Sequence, residues 1–150
     1  MKKHTACLLA ATVLTMAIPA SAQFSKPENA IKYRKSAMFI MSQNFGRVAG
    51  MAAGRIPFDA KVAADSAAVA EFVSKLPWAG FGPGTDKGDT DAKPEIWTNK
   101  AKFDDYAKKL QAEMSQLAAA AKSGNLDSIK LAVKATGAAC ESCHDDFQEN

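Results

Sequence analysis

A short motif near the end of this 150-residue chain constrains its fold more than any other feature. Cys140, Cys143 and His144 form the pattern C-x-x-C-H, which is the attachment sequence of c-type haem. The two thiols add to the vinyl groups of the porphyrin, and the adjacent imidazole binds the iron as its axial ligand. Positions i, i+3 and i+4 of a helix lie on one face. A helical motif would therefore turn all three side chains into one pocket.

Three other interpretations of the motif remain open. A C-x-x-C pair is also typical of thiol–disulfide proteins, but these place it in a βαβ context that is not visible upstream. The pair resembles half of a zinc site, but the chain has no second Cys or His pair to complete four ligands. His144 by itself could also be a structural histidine whose ring nitrogens are hydrogen-bonded within the core. Covalent haem attachment explains all three residues together, and it is the favoured interpretation.

Residues 1–22 have the pattern of an export signal. A basic start precedes an apolar run from Cys7 to Ile18, which is too short to span a bilayer. Ala20-Ser21-Ala22 fits the small-residue cleavage site of such signals. We therefore exclude residues 1–22 from the fold and predict a single domain over residues 23–150.

Cleavage changes the composition that bears on function. Removing 22 of the 150 residues leaves 128, which is enough for one domain with a hydrophobic core. The loss of Lys2 and Lys3 lowers the formal net charge from +3 to +1. A nearly neutral chain gives no reason to expect nucleic acid or a membrane as a partner. Because His4 is lost as well, His144 is the only histidine left, and ligation of one iron by two histidines is impossible.

Apolar periodicity predicts four amphipathic helices and no strand. The first helix begins near Ser25, which has capping-box spacing to Glu28, and the second opens at Asp59. The third begins at or just before Asn99 and ends at Gly124, and Asn125 is placed to cap the fourth. The expected core faces are, in chain order, Ile31, Met38, Met41, Phe45 and Val48; Val62, Val69, Phe72, Val73 and Leu76; Phe103, Ala107, Leu110, Met114, Leu117 and Ala121; and Leu126, Ile129, Val133, Thr136, Cys140, Cys143 and Phe147.

Four such helices predict an all-α, antiparallel, up-down-up-down four-helix bundle. The connection from residue 77 to 94 is long for a loop in a small domain, and such loops are often functional. Arg34 falls on the core face of the first helix, so either its charged end reaches the surface or it meets a buried anion. The C-x-x-C-H motif shares the core face of the fourth helix, so the haem is expected inside the bundle.

Five short segments carry a resemblance to a known family: Lys32-Tyr33-Arg34, Leu76-Pro77-Trp78, Phe81-Gly82-Pro83-Gly84-Thr85, Lys93-Pro94-Glu95-Ile96-Trp97 and Cys140 to His144. Through them the chain is similar to the cytochromes c′, the class II c-type cytochromes. The resemblance covers essentially all of residues 23–150, and the haem motif lies at the C-terminal end, whereas ordinary cytochromes c carry it near the N-terminus. Cytochromes c′ are themselves reference examples of the up-down-up-down bundle, so the resemblance implies the same fold.

The resemblance implies one haem c per chain, attached through Cys140 and Cys143, with His144 as the iron ligand. It implies a five-coordinate, high-spin iron, with the side chain of Met38 covering the other face of the haem without bonding the metal.

The resemblance also implies charged residues at the haem propionates. Arg34 and Lys35 match positions whose side chains approach the propionates, and Asp89 is the best match for an acidic loop residue that does likewise. Gln148 is a departure from the family, because many members carry Arg or Lys four residues after the ligand histidine. This loss of a cation is expected to lower the haem potential slightly and to change how a diatomic is held on the histidine side.

Family members are periplasmic, are often homodimers through their first two helices, bind nitric oxide and carbon monoxide, and transfer electrons in some cases. The expected function is therefore that of a periplasmic gas-binding haemoprotein that senses or removes nitric oxide, with a periplasmic redox partner as a second possibility. The alternative within the class is a six-coordinate, low-spin electron carrier with Met38 or Met41 on the iron. Enzymatic activity is not expected, because peroxidase chemistry needs a distal acid–base group and no second histidine remains. A haem-free dithiol protein is the remaining alternative.

Overall fold

The computed structural model describes residues 23–149, so the predicted export signal over residues 1–22 lies outside the described residues. Four long helices and one single-turn helix are present in that part of the chain. A 3-10 turn, Pro77–Gly80, follows the second helix. The helices are α1 Pro27–Ala52, α2 Ala60–Val73, α3 Glu95–Thr98, α4 Lys100–Ser123 and α5 Leu126–Phe147.

The four long helices form a closed ring of neighbours. α1 contacts α2, α2 contacts α4, α4 contacts α5, and α5 contacts α1. The predicted four-helix bundle is confirmed, and no strand forms between residues 23 and 149, where the one β-type pairing is an isolated antiparallel bridge between Ala92 and Gln148. No helix in this range is long and apolar enough to cross a membrane.

The helix starts follow the predicted capping residues with one exception. Asp59 and Asn125 each accept a hydrogen bond from the backbone N–H three residues ahead, at 3.0 and 2.9 Å, so α2 and α5 begin as predicted. The capping box predicted for α1 is wrong. The helix starts one residue later than the box requires, Lys26 precedes it with no side-chain cap, and Ser25 Oγ accepts from the side chain of Asn29 at 3.0 Å instead.

The predicted core face of α4 is confirmed, since all six of its residues are buried. On α1 the side chains of Ile31, Met41 and Val48 are buried as predicted, and Arg34 is buried with them. On α5 the buried residues include Ile129, while the motif cysteines are half-buried.

The predicted core face of α2 is largely wrong. Val62, Val69 and Phe72 are exposed by 37%, 42% and 66%, and small side chains form most of the inner face instead. Small residues spaced at i, i+4 and i+7 let α2 lie close to its neighbours, because the distance between packed helices depends on the side chains at the contact. The bulky residues that dominate the apolar periodicity are therefore left on the outer surface. The buried residues of α2 are Ala63, Ser66, Ala67, Ala70 and Val73.

Candidate haem site

The three residues of the C-x-x-C-H motif line a single cavity from α5. Cys140 and Cys143 are half-buried free thiols, and His144 is exposed to solvent. The helix continues to Phe147, which is buried. The packing of Phe147 holds the last turn of α5 against the bundle, so the motif sits on an anchored helix and not on a frayed end.

The cavity has a volume of about 960 Å³ and is walled by α1, α4, α5 and the connection between α2 and α4. Sites that enclose a cofactor or drug-sized ligand usually measure roughly 300–1,000 Å³ and are mostly apolar. An apolar cavity of this size with two thiols and one imidazole in its wall fits haem c, because these are the groups that the attachment uses. The larger apolar side chains in the wall are Met38, Phe39, Ile40, Met41, Phe45, Trp78, Phe81, Ile96, Phe103, Leu110, Met114 and Phe147.

The state of the two thiols bears on the dithiol alternative. Desolvation by burial raises the pKa of Cys140. The same cause raises the pKa of Cys143 to about 11, with smaller contributions from the neighbouring Cys140 and from Asp146. Cysteines that exchange disulfides have lowered pKa values. Both groups are protonated thiols near neutral pH, and the shift is opposite to the one that a redox-active pair needs.

Arg34 is 2% exposed, so its charged end does not reach the surface. Its Nη1 donates to Gly80 O at 2.8 Å and to Thr85 Oγ1 at 2.9 Å. Its Nη2 donates to Thr85 O at 2.8 Å and to Thr90 Oγ1 at 2.7 Å. The guanidinium also lies 4.4 Å from the centroid of the Phe81 ring. These contacts hold the long connection against α1.

The charge of Arg34 has no acidic partner among these acceptors, which are two carbonyls and two hydroxyls. Desolvation by burial lowers the pKa of the guanidinium. Of its five N–H groups, four are used by the connection, and the one on Nε is left. Because Arg34 also lines the cavity, a bound anion could accept from Nε and offset the cost of burying the charge.

The long connection approaches α1 most closely at Gly80. A Cβ added there would lie 2.7 Å from Ala30 O and 2.8 Å from the Cβ of Arg34, so a larger residue requires α1 to move. Farther along, Trp97 Nε1 donates to Gly82 O at 2.9 Å. The segment that the sequence predicts as a loop is thus fixed by side-chain contacts, and it forms one wall of the cavity.

Aromatic side chains from this connection pack on the ends of α4 and α5. The ring of Phe81 lies 4.8 Å from that of Phe103, and the ring of Phe103 lies 5.5 Å from that of Phe147, in edge-to-face geometry. We call Phe81, Ile96, Phe103 and Phe147 the aromatic cluster. Edge-to-face pairs add roughly 0.5–1.5 kcal/mol each beyond the burial of area.

Lys35 and Asp89 are next to each other, but the structure places only Lys35 in the cavity wall. Their side chains form a salt bridge of 2.9 Å, with Asp89 94% exposed. An exposed pair of this kind contributes little to stability. Thr90 and Asp91 line the cavity, so the acidic residue of this loop in the cavity wall is two positions beyond Asp89.

The methionines, whose sulfur atoms are candidate iron ligands, differ in whether they line the cavity. Met38, Met41 and Met114 line it, whereas Met51 does not. Met41 is buried in the hydrophobic core between the long helices, which we call the main core and which includes Val48, Ala67, Leu110, Leu117 and Ile129. Met38 is half-buried and packs against both the main core and the aromatic cluster. Between residues 23 and 149 no group of three or more His, Cys, Asp or Glu side chains could hold a metal ion by itself.

Sequence reasoning missed the pairing of the long connection with the C-terminus. Lys93 N donates to Phe147 O at 3.0 Å, and Glu149 N donates to Asp91 O at 2.7 Å. Two single backbone bonds between segments far apart in the chain leave no periodic signal that could have revealed them. They fix the residues that directly follow His144.

Comparisons with known proteins agree with this site. A family model described as Cytochrome C' matches residues 29–148. Cytochrome c' of Rubrivivax gelatinosus is 52% identical over 128 residues, which is 85% of this chain and 99% of the relative. Cytochrome c' of Alcaligenes xylosoxydans xylosoxydans is 42% identical over 127 residues, 85% of this chain and 98% of the relative.

Solved structures give the same result in three dimensions. The crystal structure of the Rubrivivax gelatinosus protein superposes with a TM-score of 0.82 and covers 85% of this chain and 100% of its own. A nitric oxide complex of a mutant cytochrome c prime from Alcaligenes xylosoxidans, 41% identical, superposes with a TM-score of 0.80 and covers 85% of this chain and 99% of its own. The fold, the cavity with its C-x-x-C-H motif and these matches together show that the chain belongs to the cytochrome c′ family and carries haem c attached through Cys140 and Cys143.

Proposed function

We propose that this protein is a periplasmic gas-binding haemoprotein whose iron is five-coordinate and binds nitric oxide and carbon monoxide. The observation that carries the proposal is the single cavity that has the haem-attachment motif on α5 and Met38 on α1 in its wall. Bound haem c supplies an iron that takes up a diatomic ligand or an electron. The nitric oxide complex of the Alcaligenes relative supports the choice of ligand.

In this proposal His144 is the only iron ligand from the protein, and Met38 covers the other face. His144 is the only histidine outside the predicted export signal. Met38 packs against two groups of core residues, which restricts how far its side chain can turn. An apolar side chain held in this way excludes water and large ligands, so a diatomic must displace it to reach the metal.

We assign Arg34 as a haem propionate partner through Nε–H. The support is a buried cation that has no carboxylate among its acceptors and that lines the cavity. Lys35 is assigned a weaker role at the rim, because Asp89 already neutralises it. For Asp89 the geometry gives less support, since its side chain is almost fully exposed and is not part of the cavity wall.

Assembly as a homodimer through α1 and α2 is the second part of the proposal. Within residues 23–149, seven of the eight exposed large hydrophobic side chains lie on α1, on α2 or between them, and the other is Leu131 on α5. Such a concentration of exposed apolar residues marks an interaction surface. The seven are Phe39 and Ile40, which also line the cavity, together with Ile56, Phe58, Val62, Val69 and Phe72.

Export and the absence of enzymatic activity complete the proposal. The basic start, short apolar run and small-residue cleavage pattern of residues 1–22 support export with cleavage after Ala22. A catalytic role is not proposed, because the cavity wall contains no histidine other than His144 to move protons at a bound peroxide.

The second candidate function is electron transfer by a six-coordinate, low-spin haem. The observation that favours it is the presence of Met38, Met41 and Met114 in the cavity wall, since methionine is a common iron ligand in cytochromes. The optical spectrum of the purified ferrous protein, with and without carbon monoxide, separates the two. A high-spin ferrous spectrum that changes on carbon monoxide addition supports gas binding, and a low-spin spectrum that does not respond supports the electron carrier.

A further inference from the structure

Four residues of the long connection, Thr90–Lys93, join the helix that carries Met38 to the end of the helix that carries His144. At one end, Thr90 accepts a hydrogen bond from Arg34 on α1. At the other end, backbone hydrogen bonds join Lys93 to Phe147 and Asp91 to Glu149. The two sides of the cavity are thereby connected through a short stretch of backbone.

Thr90 is the point where this connection meets α1. Its hydroxyl oxygen accepts from Arg34 Nη2 at 2.7 Å and from Ala92 N at 3.1 Å. The same side chain lines the cavity. One hydroxyl therefore fixes both the distance to α1 and the direction in which Ala92 leaves the turn, and Ala92 is the residue that pairs with Gln148.

The far end of the stretch makes three hydrogen bonds to the C-terminal residues around and after His144. Lys93 N donates to Phe147 O at 3.0 Å, Glu149 N donates to Asp91 O at 2.7 Å, and Lys93 Nζ donates to Asp145 O at 3.0 Å. All three bonds act on residues within five positions of the histidine. The last turn of α5 cannot rotate without breaking at least one of them.

The side chain of His144 is exposed, and it makes no hydrogen bond to any residue in the described part of the chain. Iron- and zinc-binding histidines usually donate their second N–H to a carboxylate or carbonyl, which fixes the plane of the ring. Since residues 23–149 offer it no such partner, the position of this imidazole depends on the backbone of α5. That backbone is held by Thr90–Lys93.

We propose that Thr90 is a positioning residue for His144: it sets the orientation of the iron ligand through Ala92, Lys93 and the C-terminal turn, and it ties that orientation to Arg34 on α1. The inference rests on the proposed role of His144 as the only iron ligand from the protein. A rearrangement of α1 on ligand entry past Met38 would then be transmitted to the iron–imidazole bond through this path.

The test compares Thr90→Val with Thr90→Ser and Thr85→Val in the holoprotein. Thr90→Val keeps the side-chain shape but removes the acceptor, and Thr90→Ser restores it. Thr85→Val is the matched control. Thr85 Oγ1 also accepts a hydrogen bond from Arg34, but its other hydrogen bond is to Gly82 O and not to Ala92. Two properties are measured in each variant: the iron–histidine stretching band of the ferrous protein, and the hydrogen exchange of the segments 91–93 and 147–149 by mass spectrometry.

In Thr90→Val we expect a shifted or broadened iron–histidine band and about tenfold faster exchange of both segments, which is the effect of one net hydrogen bond. Thr90→Ser should restore both properties. Thr85→Val should lower stability without moving the band. If Thr90→Val does not accumulate as holoprotein, Lys93→Met, which removes only the bond to Asp145 O, should move the band in the same direction by a smaller amount.

An unchanged band in both Thr90→Val and Lys93→Met overturns the proposal, as does an equal shift in Thr85→Val. Failure of the proposed function is seen separately, in the unsubstituted protein. A low-spin ferrous spectrum or absence of carbon monoxide uptake there removes the gas-binding role, while the difference in exchange between Thr90→Val and Thr85→Val still decides whether Thr90 holds the C-terminal turn.

Discussion

Arg34 and Thr85 are joined by two hydrogen bonds across 51 positions of sequence, from Nη1 to the hydroxyl at 2.9 Å and from Nη2 to the carbonyl at 2.8 Å. Paired bonds of this kind use the fixed fork of the guanidinium, which lysine cannot reproduce. The cation therefore serves the fold, in addition to the role proposed for it at the haem propionates. It orders the connection that forms one wall of the cavity.

The first prediction follows from this arrangement. Arg34→Ala leaves several buried acceptors without a donor, and we expect the free energy of unfolding of the holoprotein to fall by about 3 kcal/mol. Arg34→Lys keeps the charge but loses the paired bonds, so it should also be clearly destabilised. The control is Arg47→Ala, because Arg47 makes a single 3.3 Å bond to Ser66 from an exposed position and should change stability by less than about 0.5 kcal/mol.

Denaturant unfolding followed at the haem absorbance measures these differences. The propionate assignment adds a second readout, the reduction potential of the haem, which should shift in Arg34→Ala and stay constant in Arg47→Ala. If both stability and potential of Arg34→Ala match those of the unsubstituted protein, neither role assigned to this residue is correct.

The inner face of α2 gives the second prediction. Ala67 is fully buried between helices, whereas Ala68 is exposed. Ala67→Leu adds bulk to a filled interface, and overpacking of this kind costs about 1–3 kcal/mol. Ala68→Leu makes the same chemical change on the surface and should be nearly neutral. Thermal unfolding of the two variants compares them directly, and equal midpoints would show that the small residues of α2 do not determine how closely the helix packs.

This face also shows where sequence reasoning reaches its limit. Large apolar residues carry the periodic signal, so the core of α4 could be predicted position by position. On α2 the signal is misleading, because alanines fill the interior and Val69 and Phe72 are outside. Periodicity reports that a helix has an apolar stripe, but not whether that stripe faces its own core or another molecule.

The candidate site divides in the same way. Cys140, Cys143 and His144 could be predicted because their chemistry depends on local spacing along one helix. The surroundings of Arg34 could not be, because four hydrogen bonds to a folded-back connection depend on distances between residues far apart in sequence. The same holds for Thr90. Nothing in the sequence Gly88-Asp89-Thr90-Asp91 indicates that the hydroxyl of this threonine contacts another part of the chain.

The third prediction concerns assembly. Phe72 is 66% exposed on α2 and Leu131 is 73% exposed on α5, so the two side chains have similar solvent exposure. A charge at the centre of an apolar interface is strongly unfavourable, and we expect Phe72→Glu to weaken the proposed dimer by more than about tenfold. Leu131→Glu should leave it intact. Sedimentation at high micromolar concentration distinguishes these results, and a monomeric unsubstituted protein at that concentration would count against the dimer.

The fourth prediction concerns attachment of the cofactor. Cys140→Ala and Cys143→Ala should each lower the yield of holoprotein and leave at most one thioether bond, because each thiol serves one vinyl group. Ser142→Ala is the control: it removes a hydroxyl between the two cysteines that the attachment does not use, and it should not affect the yield. Retention of haem after acid-acetone extraction is the measurement. Normal yield of covalent haem in the double Cys variant would be incompatible with the assigned attachment.

The last prediction concerns the sixth coordination position of the iron. A thioether is a good iron ligand, and the presence of Met38 in the cavity wall at first favours a six-coordinate carrier. Methionine is also a common filler of irregular cores, and Met38 is already packed against the main core and the aromatic cluster. A side chain fixed between two groups of core residues is poorly placed to bring its sulfur onto the axis of the iron. We therefore expect a five-coordinate ferrous haem, with Met38 as a steric barrier to the entering gas.

This barrier should appear in the kinetics of ligand binding. Carbon monoxide association should be slow in the native protein and at least about tenfold faster in Met38→Ala, which corresponds to a barrier lower by roughly 1.4 kcal/mol, while the ferrous spectrum before ligand addition stays high-spin. Met41→Ala is the control for loss of packing, because Met41 is 5% exposed within the main core, and it should lower stability by about 2–5 kcal/mol with a smaller effect on the rate. A native ferrous protein that is low-spin, and that becomes high-spin when either methionine is replaced, would establish the electron carrier instead, because only a bound thioether is lost in that way.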